Sequence, residues 1–135
     1  MKKQPPLLPD FPMNTDDGHI YNVLIEQAIG GVDLGYSNFL IELHSNISHD
    51  GTKVDGVTMF DERKIKLEMS LSDETARETL LHEIIHCILE GLGFDERHFD
   101  SEFIKLTNEQ LTTALSLQLI LVNRLNPKLF SVLFL

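Results

Sequence analysis

The sequence predicts a single α+β domain in which a small sheet packs on a buried helix. Short apolar or alternating runs lie in the first half of the chain, at residues 38–43, 56–60 and 65–69, and are typical of strands. Two longer runs with helical spacing follow, beginning at Ser72 and at Thr107. We therefore expect a mainly antiparallel sheet of about three strands, packed on a central helix and followed by a C-terminal helix.

Composition and charge narrow the possible functions. The 135 residues are 42% hydrophobic and 24% charged, which is ordinary usage for a globular domain and excludes a disordered chain. Acidic residues number 21 against 11 Lys and Arg, giving a formal net charge of −10. A surface of this sign repels phosphate backbones, so we expect no nucleic-acid partner and an attraction for basic partners.

No segment of the sequence resembles a secretion signal or a membrane span. Residues 1–15 are rich in proline and are expected to form an irregular arm before a single domain over residues 16–135. The apolar run at residues 129–135 is far shorter than the roughly 20 residues of a membrane span, and we expect it to pack in the core or in a dimer interface. Because Cys87 is the single cysteine, no intramolecular disulfide can form, and the reducing cytoplasm is the expected compartment.

The first elements are predicted from local patterns. Apolar spacing over residues 16–28 indicates a helix, with a strand through residues 20–25 as the competing interpretation. The polar stretch at residues 44–55 predicts a loop. The charged residues 61–64 separate two strand-like runs, which predicts the turn of a β-hairpin.

The strongest predicted helix carries the motif HEIIH at residues 82–86. Ser72 can cap the first backbone N–H groups of this helix. The second half of the helix is apolar nearly all round, which predicts that the helix is buried. His82 and His86 lie on one helical face, so their imidazole nitrogens can converge on one Zn²⁺ ion. Glu83 projects from the same turn and can take a proton from a metal-activated water. The competing interpretation, histidines that hydrogen-bond within a packed helix, carries a large burial cost.

A catalytic zinc ion usually has three protein ligands and an open position, so a further ligand is required. Glu109, in the first turn of the C-terminal helix, is the leading candidate, followed by Glu102, His98 and Asp100. The apolar stripe of that helix lies opposite Glu109. Either the polar side of the helix faces the metal, or Glu109 is a solvated acid stabilised by the helix dipole.

Residues 54–127 resemble small HExxH metallopeptidase-like proteins of phages and prophages, related in pattern to the ImmA/IrrE-like and SprT-like zincins. The matched features are the β-hairpin, the segment TLLHEIIHCI, and a later helix that opens with an acidic residue and closes at Asn-Pro. The resemblance implies an α+β minimal zincin in which His82 and His86 bind zinc and Glu83 is the general base. It also favours Glu109 as the third ligand.

The expected function is that of a cytoplasmic zinc-dependent peptidase acting on a protein or peptide substrate. The rival hypothesis is a non-catalytic protein that keeps the zincin scaffold, binds a basic partner, and holds zinc in a structural role or not at all. Cys87, beside His86, is expected to be a small buried hydrophobe rather than a ligand or nucleophile. Tyr21 and Tyr36 could stabilise an oxyanion, but no spacing selects either of them.

Overall fold

The computed structural model of the chain describes residues 19–26, 28–93 and 108–134. The proline-rich arm and the candidate ligands His98, Asp100 and Glu102 lie outside the described residues, as does the Thr107 cap. Within these ranges the chain forms a mixed α+β fold with four helices and six short strands. None of the described helices combines the length and the apolar character needed to cross a lipid bilayer.

The elements in chain order are α1 (His19–Glu26), β1 (Gly31–Asp33), β2 (Asn38–His44), β3 (Ser48–His49), β4 (Thr52–Lys53), β5 (Gly56–Met59), β6 (Lys64–Glu68), α2 (Asp73–Gly91), α3 (Asn108–Leu125) and α4 (Pro127–Leu133). Four of the strands form one sheet in the spatial order β1-β2-β6-β5. The pairs β1/β2 and β5/β6 are antiparallel, whereas β2 and β6 are parallel. The strands β3 and β4 form a separate two-stranded ribbon.

The predicted β-hairpin is confirmed. Strands β5 and β6 pair from Gly56 opposite Leu67 to Met59 opposite Lys64. Arg63 ends the turn, with its backbone N–H donating to the Phe60 carbonyl at 3.2 Å. The alternation in β6 has the predicted consequence, because Ile65 and Leu67 are fully buried against the helices.

Two expectations need correction, and the helix expected over residues 16–28 is confirmed for His19–Glu26. The sheet has four strands, because the three residues of β1 are too few to show a pattern in the sequence. The predicted loop at residues 44–55 contains the ribbon β3/β4, whose two strands pair with each other and not with the four-stranded sheet. The strand interpretation of residues 20–25 is wrong, since these residues belong to α1.

The apolar C-terminal run lies largely in a helix that the sequence patterns did not predict. Asn126 and Pro127 end α3 as expected, but Pro127 is also the first residue of α4. The missing N–H and fixed φ of proline suit a first helical position, so one residue serves both helices. The core-packing expectation is confirmed for the side chains of α4 that are buried, which are Leu129, Phe130, Val132 and Leu133.

Helix α2 begins as predicted and lies against the sheet. The Ser72 hydroxyl accepts a hydrogen bond from the Thr75 backbone N–H at 3.3 Å. Asp73, in the first turn, accepts from the Ile20 backbone N–H at 2.6 Å and so joins α2 to α1. The buried face of α2 packs on β5 and β6, and this contact fixes the position of the HEIIH motif relative to the hairpin. The fully buried members of that face include Ala76, Leu80, Ile84 and Cys87.

A buried carboxylate organises the end of β6. The Glu68 side chain is 3% exposed, and its oxygens accept hydrogen bonds from the Asn46 N–H at 2.9 Å and the Ser70 hydroxyl at 2.8 Å. Two further bonds come from the N–H groups of Ile47 and Ser70. Burial acts to raise the pKa of Glu68, but these hydrogen bonds outweigh it and hold the pKa below its ordinary value. The carboxylate thus stays charged while it fixes two loops.

A single amide side chain ties the corner between α3 and α4 to the outer strand β1. The Asn126 side-chain nitrogen donates to the Asp33 carbonyl at 2.7 Å and to the Val122 carbonyl at 2.8 Å. Its oxygen accepts from the Asp33 N–H at 2.8 Å. Asn126 therefore forms hydrogen bonds with both the backbone N–H and the carbonyl of Asp33, as a neighbouring strand would.

Candidate metal centre

Three side chains of α2 bring metal-binding atoms together. His82, Glu83 and His86 each offer one donor atom, and these atoms lie within 4.8 Å of one another. The Nε2 atoms of the two histidines are 3.1 Å apart, with the rings edge to face. Two nitrogens bound tetrahedrally to one zinc ion lie about 3.3 Å apart, given Zn–N bonds of about 2.0–2.1 Å. The spacing of the two imidazole nitrogens is therefore compatible with one shared zinc ion, and it is also that of a hydrogen bond between the two rings.

The three side chains of the cluster differ in their exposure to solvent. His82 is exposed and His86 is half-buried, whereas Glu83 is buried. Among the described residues, the side of the helix that carries the histidines is consequently open to solvent, and the histidines do not bear the burial cost that an enclosed apolar helix would impose.

Strand β5 lies directly against the motif. A Cβ atom on Gly56 would lie 2.7 Å from Thr79 Cγ2 and 3.4 Å from Glu83 Cγ, so only glycine permits this approach. Beside it is an open cleft of about 320 Å³ that includes His82 and Glu83 in its wall. The other residues of the cleft wall are Asp55, Gly56, Glu78 and Thr79.

Thr58 of β5 reaches the acidic member of the cluster. Its hydroxyl donates to Glu83 Oε1 at 2.7 Å. The Thr58 hydroxyl oxygen also lies 3.4 Å from the backbone carbonyl oxygen of Glu83. Sequence reasoning missed this residue because 25 positions separate it from Glu83. The available signal is slight: Thr58 is the hydroxyl residue within the GVTM strand of the hairpin.

The structure does not bring Glu109 together with the histidines. Glu109 is exposed in the first turn of α3, and the donor group found in the described ranges consists of His82, Glu83 and His86. Glu109 as third ligand therefore stays a prediction. The weaker candidates His98 and Glu102 lie in the part of the chain outside the description.

Glu90, one turn beyond His86, is engaged elsewhere. Its carboxylate forms an ion pair with Arg63 of the hairpin turn and lies 2.9 Å from the Tyr36 hydroxyl. The guanidinium of Arg63 also lies over the Tyr36 ring, with its carbon 5.8 Å from the centroid. These contacts hold the last turn of α2 against the hairpin turn and the β1–β2 connection.

Cys87 and the two tyrosines named as possible oxyanion donors form contacts within the fold. Cys87 is fully buried, and burial raises the pKa of its thiol to about 12, so the thiol is neutral at pH 7. The expectation of a small buried hydrophobe is confirmed. The Tyr36 hydroxyl lies 2.7 Å from the Cys87 carbonyl oxygen, and the Tyr21 hydroxyl donates to the Glu68 carbonyl at 2.6 Å. Burial raises the pKa of both tyrosines.

The fold and the site together define an α+β protein with a histidine–glutamate–histidine cluster on its central helix. Comparisons with models of protein families, with curated protein sequences and with solved structures give no match for this chain. Function must therefore be inferred from the chemistry of the cluster and of the cleft beside it.

Proposed function

We propose that this chain is a zinc-dependent peptidase of the minimal zincin type. The observation that carries the proposal is the convergence of His82 Nε2 and His86 Nε2, 3.1 Å apart, with the Glu83 carboxylate in the same group of donor atoms. The HExxH pattern on one helix unites two metal ligands with an acid that does not ligate. His82 and His86 would hold the ion, and Glu109 is the proposed third ligand.

The residues of the chain have separate roles in this proposal. A zinc ion held by these residues would supply a Lewis acid for the activation of a water molecule. Glu83 would accept a proton from that water and pass it to the leaving amine. The partial burial of the motif against β5 shields Glu83 from bulk solvent, while exposed His82 leaves the cleft accessible to a substrate.

Strand β5 offers a place for a peptide substrate. In the described sheet β5 is an outer strand, paired on one side with β6 and packed on α2 at Gly56. The outer edge of such a strand can pair with an extended peptide through main-chain hydrogen bonds. A peptide bound there would run beside the cleft that contains His82 and Glu83. This placement favours a protein or peptide over a small metabolite.

The first test is metal content. Protein purified without added metal is analysed by elemental mass spectrometry, together with His82→Ala and with His49→Ala as a control for loss of an exposed histidine. We expect near-stoichiometric zinc in the parent and in His49→Ala, and loss of zinc in His82→Ala. Absence of zinc that added zinc cannot restore would overturn the proposal.

The second test separates the peptidase from its rival, a non-catalytic protein that binds a basic partner. The net charge of −10 favours that rival, because an acidic surface attracts basic proteins. Zinc-loaded protein is incubated with fluorescently labelled casein, with and without a chelator. Chelator-sensitive release of fluorescence supports the peptidase. Stoichiometric zinc without hydrolysis of casein or of a complex peptide library supports the rival.

A further inference from the structure

Among the described residues, Glu83 is held by one side chain of the neighbouring strand. It is 7% exposed, and within the described part of the chain its carboxylate accepts a hydrogen bond from the Thr58 hydroxyl alone. At 2.7 Å this bond has the length of a strong hydroxyl–carboxylate interaction. It acts on Oε1 and leaves Oε2 with capacity to accept.

We propose that Thr58 is the positioning residue for Glu83, fixing one carboxylate oxygen so that the other can receive the proton of the attacking water. This inference rests on the proposed function, because it assumes that Glu83 is the general base. A carboxylate attached through rotatable bonds needs a fixed partner to keep one orientation, and misplacement of a catalytic group slows reactions strongly. Thr58 supplies that partner from a strand rather than from a loop.

The hairpin makes Thr58 a rigid partner. Thr58 pairs with Ile65 of β6, which is fully buried in the core. Two residues earlier, Gly56 permits the close approach of β5 to α2. Backbone pairing and strand packing together restrict where the hydroxyl can lie.

Two substitutions at position 58 separate the hydroxyl from the shape of the side chain. Thr58→Val keeps the β-branched form suited to a strand and removes the hydroxyl, whereas Thr58→Ser keeps the hydroxyl. Thr52→Val, on the ribbon β3/β4, is the matched control for the same chemical change away from the site. Each variant is loaded with zinc, and its zinc content and thermal unfolding are measured first.

The decisive readout is the affinity of zinc-loaded protein for acetohydroxamate, measured by calorimetry. This small chelator binds a metal and gives its acidic proton to a neighbouring base, so its affinity reports on the placement of Glu83 without a substrate. We expect Thr58→Val to bind about 10-fold more weakly, the size expected for loss of one hydrogen bond to a charged group. Thr58→Ser and Thr52→Val should stay within about twofold of the parent.

A double-substitution cycle shows whether Thr58 acts through Glu83. If it does, Thr58→Val has no further effect in a Glu83→Gln background. Equal losses in both backgrounds, or no loss in Thr58→Val alone, would overturn the positioning role. Unchanged acetohydroxamate binding in Glu83→Gln would overturn it as well. A parent protein that binds acetohydroxamate normally but hydrolyses no peptide library would instead overturn the proposed peptidase function and leave the positioning of Glu83 supported.

Discussion

Two glutamates are buried to almost the same extent, yet their surroundings differ. Glu68 and Glu83 are 3% and 7% exposed. Glu68 accepts hydrogen bonds from three backbone N–H groups and from the Ser70 hydroxyl. Glu83 accepts one, from the Thr58 hydroxyl, among the described residues.

This difference separates a structural carboxylate from one suited to chemistry. A buried carboxylate whose lone pairs are filled by fixed donors holds loops together and cannot accept another proton without losing bonds. A buried carboxylate with unused acceptor capacity beside an open cleft can accept a proton from a bound molecule. We infer that Glu68 serves the fold and Glu83 serves the site, and four predictions follow from this contrast.

The largest effect is expected at Glu83. Glu83→Gln keeps the shape of the side chain and removes the basic oxygen, so we expect casein hydrolysis to fall on the order of 10²–10⁴-fold. Zinc content should stay at the parent level, and the free energy of unfolding should change by about 1 kcal/mol or less. Full hydrolytic activity in a zinc-loaded Glu83→Gln protein would mean that Glu83 is not the general base.

The opposite pattern is expected at Glu68. Glu68→Ala leaves buried N–H groups without an acceptor, so we expect about 3 kcal/mol or more to be lost from the free energy of unfolding. Urea titration measures this loss, and Glu62→Ala, at an exposed carboxylate of the hairpin turn, is the control. Zinc content measured below the unfolding transition should be unchanged. A Glu68→Ala protein as stable as the control would remove the distinction between the two glutamates.

A third prediction concerns the glycine that lets β5 approach Glu83. Gly56→Ala places a methyl group 2.7 Å from Thr79 Cγ2, so we expect overpacking to cost about 1–3 kcal/mol of stability. The added methyl group should push β5 away from α2, and Thr58 would then move away from Glu83. We therefore expect the rate of casein hydrolysis to fall as well. Gly30→Ala is the matched control, since its methyl group would meet no atom within 4 Å. Equal thermal midpoints for the two variants would show that the strand and the helix are not in close contact.

The smallest effect is a dependence of stability on pH. Burial acts to raise the pKa of Glu68 in the folded protein, but the hydrogen bonds to its carboxylate prevail and hold the pKa below its ordinary value. Its stabilising contribution is therefore complete above the unfolded pKa of about 4.3 and is lost as pH falls through the lower folded pKa. Glu68→Gln should show a shallower decline of unfolding free energy below about pH 5 than the parent. If the unfolding free energies of the parent and of Glu68→Gln declined equally with falling pH, this role of Glu68 would be contradicted.

Local patterns in the sequence were sufficient for part of the fold. The Ser72 cap, the central helix and the hairpin at residues 56–69 depend on neighbours within a few positions, and each is present. The pairing of β2 with β6 is parallel and joins segments separated by a long crossover, so no local pattern indicates it. Helix α4 was missed because Pro127 reads as the end of one helix, although it also suits the start of another.

The same limit applies to the site. The histidine pair and Glu83 lie within one and a half turns of a helix, so their spacing alone predicts that they meet. Thr58 reaches Glu83 only because β5 packs on α2, a contact between segments 25 residues apart. The role of Glu68 as a satisfied carboxylate likewise depends on two loops, one of them at residues 46–47. Local spacing thus predicts the cluster of donor atoms but not the residues that support it.

The bonds between Asn126 and Asp33 have a consequence for the order in which the chain folds. They close a separation of 93 residues, so the entropy of ordering most of the chain must be overcome before they form. During synthesis Asp33 emerges long before Asn126, and β1 must wait for the corner that completes its hydrogen bonding. The hairpin and α2 depend on nearer partners. We therefore expect amide protons of β5 and β6 to gain protection from exchange early in refolding, and those of β1 last.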